Sequence, residues 1–130
     1  MRRDVRVSRP HPIWFVLWCL GWIGVAALSL MPEAVIPDVG GDKVAHMLAY
    51  GTMAAAAVTF CRCPARLALL ALVTLFLGGT MEIAQTYVPG RQLDGADVVA
   101  NGVGAVLGYL VALMVLLVLR RPLQDSPSPG

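Results

Sequence analysis

The chain has 130 residues, of which 58% are hydrophobic and only 14% charged. Its mean hydropathy is +0.72. A soluble domain of ordinary make-up carries about 25% charged residues, so this composition excludes a water-exposed globular domain and points to a single membrane-embedded one. The net charge of +2 and scattered arginines give no basic patch for nucleic acid, and three cysteines make no disulfide framework.

Four apolar runs follow one another, each near the length that crosses about 30 Å of hydrocarbon at 1.5 Å per residue. The first, residues 13–31, has no ionisable group but Cys19 and carries Trp14, Trp18 and Trp22 at four-residue spacing. That stripe is expected to pack or to face lipid. A signal peptide is the alternative for this run, because Val25 and Ala27 are small residues at a cleavage-like position behind an Arg-rich leader. The second run, 44–60, is interrupted by His46 and Tyr50. The third, 67–88, is oily until Glu82 and Gln85, and the fourth, 98–119, is broken only by Asn101 near its start. None alternates with period two, so helices are expected rather than barrel strands. The fold class read from this pattern is all-α: a four-helix transmembrane bundle over residues 1–121, followed by a disordered tail, 122–130, rich in Pro and Ser.

The basic residues orient the bundle. Arg2, Arg3, Arg6 and Arg9 precede the first run, Arg62 and Arg66 separate the second from the third, and Arg120 and Arg121 follow the fourth. Lys43 and Arg91 alone lie in the other loops, so the positive-inside rule places both termini in the cytoplasm of a multi-pass cell-membrane protein.

With that orientation the rare polar residues fall at one depth. Lys43 lies at the outer rim, His46 roughly 5 Å in and Tyr50 roughly 10 Å in, on one helical face by their spacing. Glu82 sits about 22 Å above the inner end of its helix with Gln85 one turn on, and Asn101 follows Asp97 at roughly 6 Å below the outer surface. An ionisable group in hydrocarbon costs several kcal/mol, on the order of 3 at the helix centre, so these groups are expected to face one another in a shared outward-opening polar cavity. Asn101, Gly104 and Gly108 continue one stripe. The small-xxx-small pair Gly104 and Gly108 is expected to support close helix packing, within the bundle or in an oligomer.

These residues resemble the VanZ-like membrane proteins, a family named for an accessory protein of glycopeptide resistance. The resemblance lies in Ser29 and Pro32 of "SLMP", in Asp42, Lys43, His46 and Tyr50 of "DKVAHMLAY", and in Glu82 and Gln85 of "EIAQTYVPGR". It continues through Arg91, Asp97 and Asn101 of "RQLDGADVVANGVGAVLG", followed by Gly104 and Gly108. One departure is at Gly95 and Ala96, where the family tends to carry a small polar residue. The resemblance implies a polytopic envelope protein, in some cases tied to lowered susceptibility to teicoplanin-type glycopeptides, and supplies no reaction.

Two readings of the polar layer remain. In the first the protein is not an enzyme: it binds a lipid or envelope-precursor headgroup, with Lys43 and Arg91 attracting phosphate or carboxylate and Tyr50, Gln85 and Asn101 orienting it beside His46, Glu82 and Asp97. In the second, Glu82 and His46 act as an acid/base pair on a lipid-linked substrate of the outer leaflet. A purely structural or scaffolding role is the bland alternative, with His46 bonding across the bundle and Asp97 pairing with Arg91 to fix a loop. His46, Glu82 and Asp97 are chemically able to hold zinc, but a lone histidine without H-E-x-x-H or similar spacing leads to the expectation of no metal and no cofactor.

Overall fold

The computed structural model describes residues 11–32 and 41–120. Four helices follow in order: α1 (Ile13–Ser29), α2 (Asp42–Ala56), α3 (Pro64–Gln85) and α4 (Gly95–Leu119), with a 3₁₀ turn, Ala57–Thr59, continuing α2. The described residues contain no strand. The leader arginines, the 33–40 loop and the 122–130 tail lie outside the described residues, as does Arg121.

The helix ends depart from the hydropathy runs by a few residues, because caps rather than oiliness decide where a helix begins. α3 starts at Pro64, where the missing N–H costs nothing in the first turn. α4 starts at Gly95 because the Asp94 side chain accepts from the Ala96 N–H at 2.8 Å. α3 ends at Gln85 and not at Val88. Thr86, Tyr87 and Val88 close turns onto the last carbonyls, and Gly90, at φ +84°, lets the chain reverse.

Contacts at the two ends show that the helices alternate in direction. At one end Lys43, in the first turn of α2, pairs with Asp94 at the head of α4, and the Arg91 Nε donates to the Met31 carbonyl after α1 at 3.4 Å. At the other end the Arg120 guanidinium donates to the Arg62 carbonyl at 2.6 Å. Arg62, Arg66 and Arg120 therefore gather at one end, and Lys43 and Arg91 at the opposite one.

The tightest pair is α2 with α4. A Cβ at Gly104 would run into the Met47 carbonyl oxygen, and one at Gly108 into the Gly51 carbonyl oxygen. In the other direction a Cβ at Gly51 would lie 3.1 Å from the Gly104 carbonyl oxygen. This is backbone-to-backbone packing that small residues alone permit. The Gly104/Gly108 stripe is thus covered by α2 of the same chain, and that face is not open to a second copy. Ala57, Val58, Cys61, Leu67, Ala112 and Leu116 form a small apolar core at the Arg62 end.

α1 leans on α2 through aromatic rings. Trp18 and Phe60 lie 5.5 Å apart, Trp22 and Tyr50 5.6 Å apart, and the Trp18 Nε1 donates to the Met53 carbonyl at 2.8 Å. Trp14, the third member of the stripe, is exposed.

The outer surface is apolar. Leu72, Phe76, Ile23, Met114 and Leu117 are all well over half exposed. So much exposed hydrocarbon suits a lipid environment and not water. α3 and α4 are long and apolar enough to cross a membrane; α1 is a shorter apolar helix.

Candidate functional site

The buried polar groups come from three helices and meet near the Lys43 end. Glu82 is 1% exposed and Asn101 fully buried, on α3 and α4 respectively. The Asn101 Nδ2 donates to the Glu82 Oε1 at 3.3 Å. His46 on α2 turns its Nδ1 toward both of them, 3.1 Å from the Asn101 Oδ1 and 3.3 Å from the Glu82 Oε1. The triangle His46–Asn101–Glu82 thus ties the three helices at one level. Gly78 makes room for it: a Cβ there would lie 2.9 Å from the Tyr50 ring and 3.3 Å from Asn101.

Above the triangle lies a charged rim. The His46 Nε2 is 3.4 Å from the Asp42 Oδ1, one turn earlier on α2. The Lys43 Nζ is 2.9 Å from the Asp94 Oδ2 and 3.6 Å from the Asp97 Oδ1. Asp42, Lys43 and Asp94 are exposed, whereas the Asp97 side chain is only 8% exposed. The Ala96 N–H and then Lys43 hold the Asp94 carboxyl below the ordinary aspartate value of 3.8.

Four side chains of the polar layer belong to this cluster as read from the sequence: His46, Glu82, Asn101 and, through Lys43, Asp97. Tyr50 stacks beside it, its ring centroid 6.4 Å from that of His46. Gln85 is buried one turn beyond Glu82, and its Nε2 has no hydrogen-bond partner among the described residues. Arg91 stands apart. Its recorded contact is with the Met31 carbonyl, so the expected pairing with Asp97 gives way to Lys43, which α2 presents directly across from the first turn of α4.

Asp94 is the residue that reasoning from the sequence left out, while Asp42 was marked only as part of the DKVAHMLAY motif at the outer rim. Asp42 lies i, i+4 from His46, a local spacing that was legible. Asp94 carried the signal of a helix cap. Its second role, holding Lys43, needs α2 beside α4.

The arrangement has limits that follow from its charge. Four carboxylates face one lysine and one histidine, so the rim is rich in acceptors and poor in cationic donors. A cation, or a ligand that brings hydrogen-bond donors, fits these groups better than a bare anion. His46 and Glu82 stand close enough for proton exchange directly or through one water.

The fold and site together define an all-helical, lipid-suited bundle whose buried charged residues are collected near one end between α2, α3 and α4. A family model described as VanZ/LLP1 matches residues 8–118, and the chain belongs to that family. No curated protein and no solved structure matches it.

Proposed function

We propose that this VanZ-family chain is a four-span cell-membrane protein with cytoplasmic termini that receives the headgroup of a membrane or envelope-precursor lipid on its extracytoplasmic side. The observation that carries this reading is the His46–Asn101–Glu82 triangle: three helices of an oily bundle converge on one buried polar cluster that continues into an exposed rim. Polar groups at such depth are rare because each is expensive there, and they mark ligand sites more often than surface polar residues do. The orientation rests on Arg62, Arg66 and Arg120 at the end away from Lys43. The rim then faces outward, and exposed Tyr87 near it has the interfacial character of membrane aromatics. Occupying a lipid-linked precursor there would alter access of teicoplanin-type glycopeptides to their membrane-proximal target.

The 3.3 Å approach of His46 to Glu82 favours one second reading, acid/base chemistry on a lipid-linked substrate. One experiment addresses both. Wild type, Glu82→Gln and Asn101→Ala are purified in native-lipid nanodiscs, and the associated lipids are followed by mass spectrometry over time. A headgroup class enriched with wild type and lost with both variants supports binding. A new product that accumulates with wild type alone supports the enzyme, and lipid profiles identical for all three refute both.

A further inference from the structure

Beyond the headgroup reading, and independently of it, the rim has the geometry of a cation site. Asp42, His46 and Asp97 each bring one donor atom to the rim, and all three atoms lie within 4.8 Å of one another. Ligands at about 2.1 Å from a tetrahedral ion stand about 3.4 Å apart, so closing this trio asks for inward movement of roughly 1 Å. The His46 Nε2 and the Asp42 Oδ1 already stand 3.4 Å apart, so the movement falls on the approach between these two and the Asp97 carboxylate.

Three further features point to a ligand there. The first is the imidazole's orientation. Its Nδ1 faces two acceptors, the Asn101 Oδ1 and the Glu82 Oε1, and so carries the proton in the neutral ring. The Nε2 lone pair then points at the Asp42 carboxylate 3.4 Å away, an acceptor against an acceptor, unless a cation lies between them. A ligating histidine characteristically donates its other N–H to a carboxylate, and Glu82 occupies that position behind His46.

The second is Asp97. Its side chain is more than nine-tenths buried, yet its Oδ1 has no hydrogen-bond partner and has Lys43 only at 3.6 Å. The third is that Lys43 has a better partner elsewhere: its Nζ lies 2.9 Å from the Asp94 Oδ2. Lys43 is therefore able to rest on Asp94 while another cation takes Asp97.

We infer that Asp42, His46 and Asp97 bind one divalent transition-metal ion, with Glu82 and Asn101 as positioning residues that hold the His46 ring. One imidazole and two carboxylates, with a position left for water or substrate oxygen, match the donor preferences of Zn²⁺ and Mn²⁺. A divalent metal there also offsets two of the negative charges of the acid-rich rim, which lessens its repulsion of a phosphate-bearing ligand.

The test is titration of the purified full chain in nanodiscs with Zn²⁺ by calorimetry, with bound metal counted by mass spectrometry. One equivalent is expected to bind wild type. Asp42→Asn and Asp97→Asn are expected to weaken binding about tenfold or more, Glu82→Gln by about tenfold through the His46 ring, and Lys43→Met to tighten it by removing the competing charge. His46→Ala is expected to abolish it. Should that half-buried variant fail to fold, the exposed Asp42→Asn and Lys43→Met pair still decides the matter, since neither lies in the core. No saturable Zn²⁺ binding to wild type overturns the inference and leaves a proton as the occupant between His46 and Asp42. Binding indifferent to Asp42→Asn, Asp97→Asn and Lys43→Met also overturns it, by assigning the metal to other donors.

Discussion

Replacing Gly108 by Ala tests whether backbone contact between α2 and α4 sets the geometry of the polar cluster. The new methyl would collide with the Gly51 carbonyl oxygen and stand 2.9 Å from the Ala54 Cβ. Carbon atoms rest at about 3.5–4.0 Å, so the helices must part by roughly 0.6–1 Å. No flexible side chain can yield in its place, because the methyl meets the Gly51 backbone and the Ala54 Cβ, which moves only with its own backbone. Overpacking of this kind costs about 1–3 kcal/mol, set against a gain of up to about 1 kcal/mol from replacing glycine in a helix. Gly79→Ala is the matched control, since a Cβ there meets nothing within 4 Å. Unfolding by denaturing detergent in mixed micelles, followed by the fluorescence of Trp18 and Trp22 packed on Phe60 and Tyr50, reads both variants. Gly108→Ala should unfold first, below wild type, and Gly79→Ala should match or exceed wild type. A Gly108→Ala variant as stable as Gly79→Ala would refute the backbone-contact argument. The same separation lengthens the 3.1 Å approach of His46 to Asn101, so loss of Zn²⁺ or lipid binding should accompany the loss of stability.

Other consequences follow from single contacts. Glu82→Ala leaves the Asn101 amide and His46 facing an empty buried position and should destabilise by about 1–3 kcal/mol, with Glu82→Gln costing less because it keeps an acceptor of the same shape; equal effects in detergent unfolding would show that the oxygen matters little. Asp94 has a folded pKa below its unfolded value, so its contribution is present above pH 3.8 and lost as pH falls through the lower folded value. Asp94→Asn should therefore flatten the acid limb of the stability curve below that pH, and an unchanged limb would contradict the Ala96 and Lys43 contacts as its source. Trp18→Phe removes the 2.8 Å bond to the Met53 carbonyl and should cost about 0.5–1.5 kcal/mol, read as faster hydrogen exchange in α1 than in α4. Cys63 is exposed, and the Arg66 backbone N–H at the head of α3 lowers its thiol pKa, so a membrane-impermeant maleimide should label it only after the cytoplasmic face is opened. Labelling of intact cells at Cys63 would reverse the proposed orientation.

The sequence alone was enough for the all-helical class and for the rarity of the polar positions. Apolar runs of such length without period-two alternation leave the backbone no other way to satisfy its hydrogen bonds in hydrocarbon. It also marked His46, Glu82 and Asn101 as neighbours in depth, because rise per residue converts sequence position directly into height along a helix. Helix ends were less legible. Asp94 and Pro64 start their helices through capping chemistry that hydropathy does not register. Lateral placement was not legible at all, since spacing along one helix says nothing of which side another helix approaches. Only the tertiary structure decided that Gly104 and Gly108 meet Met47 and Gly51 of α2, that Lys43 and not Arg91 faces Asp97, and that Asp42 joins His46 and Asp97. The physical reason lies in the glycine contact: once α2 and α4 touch through their backbones, the side chains at their upper ends have one set of neighbours within reach, and a row of polar residues becomes a site.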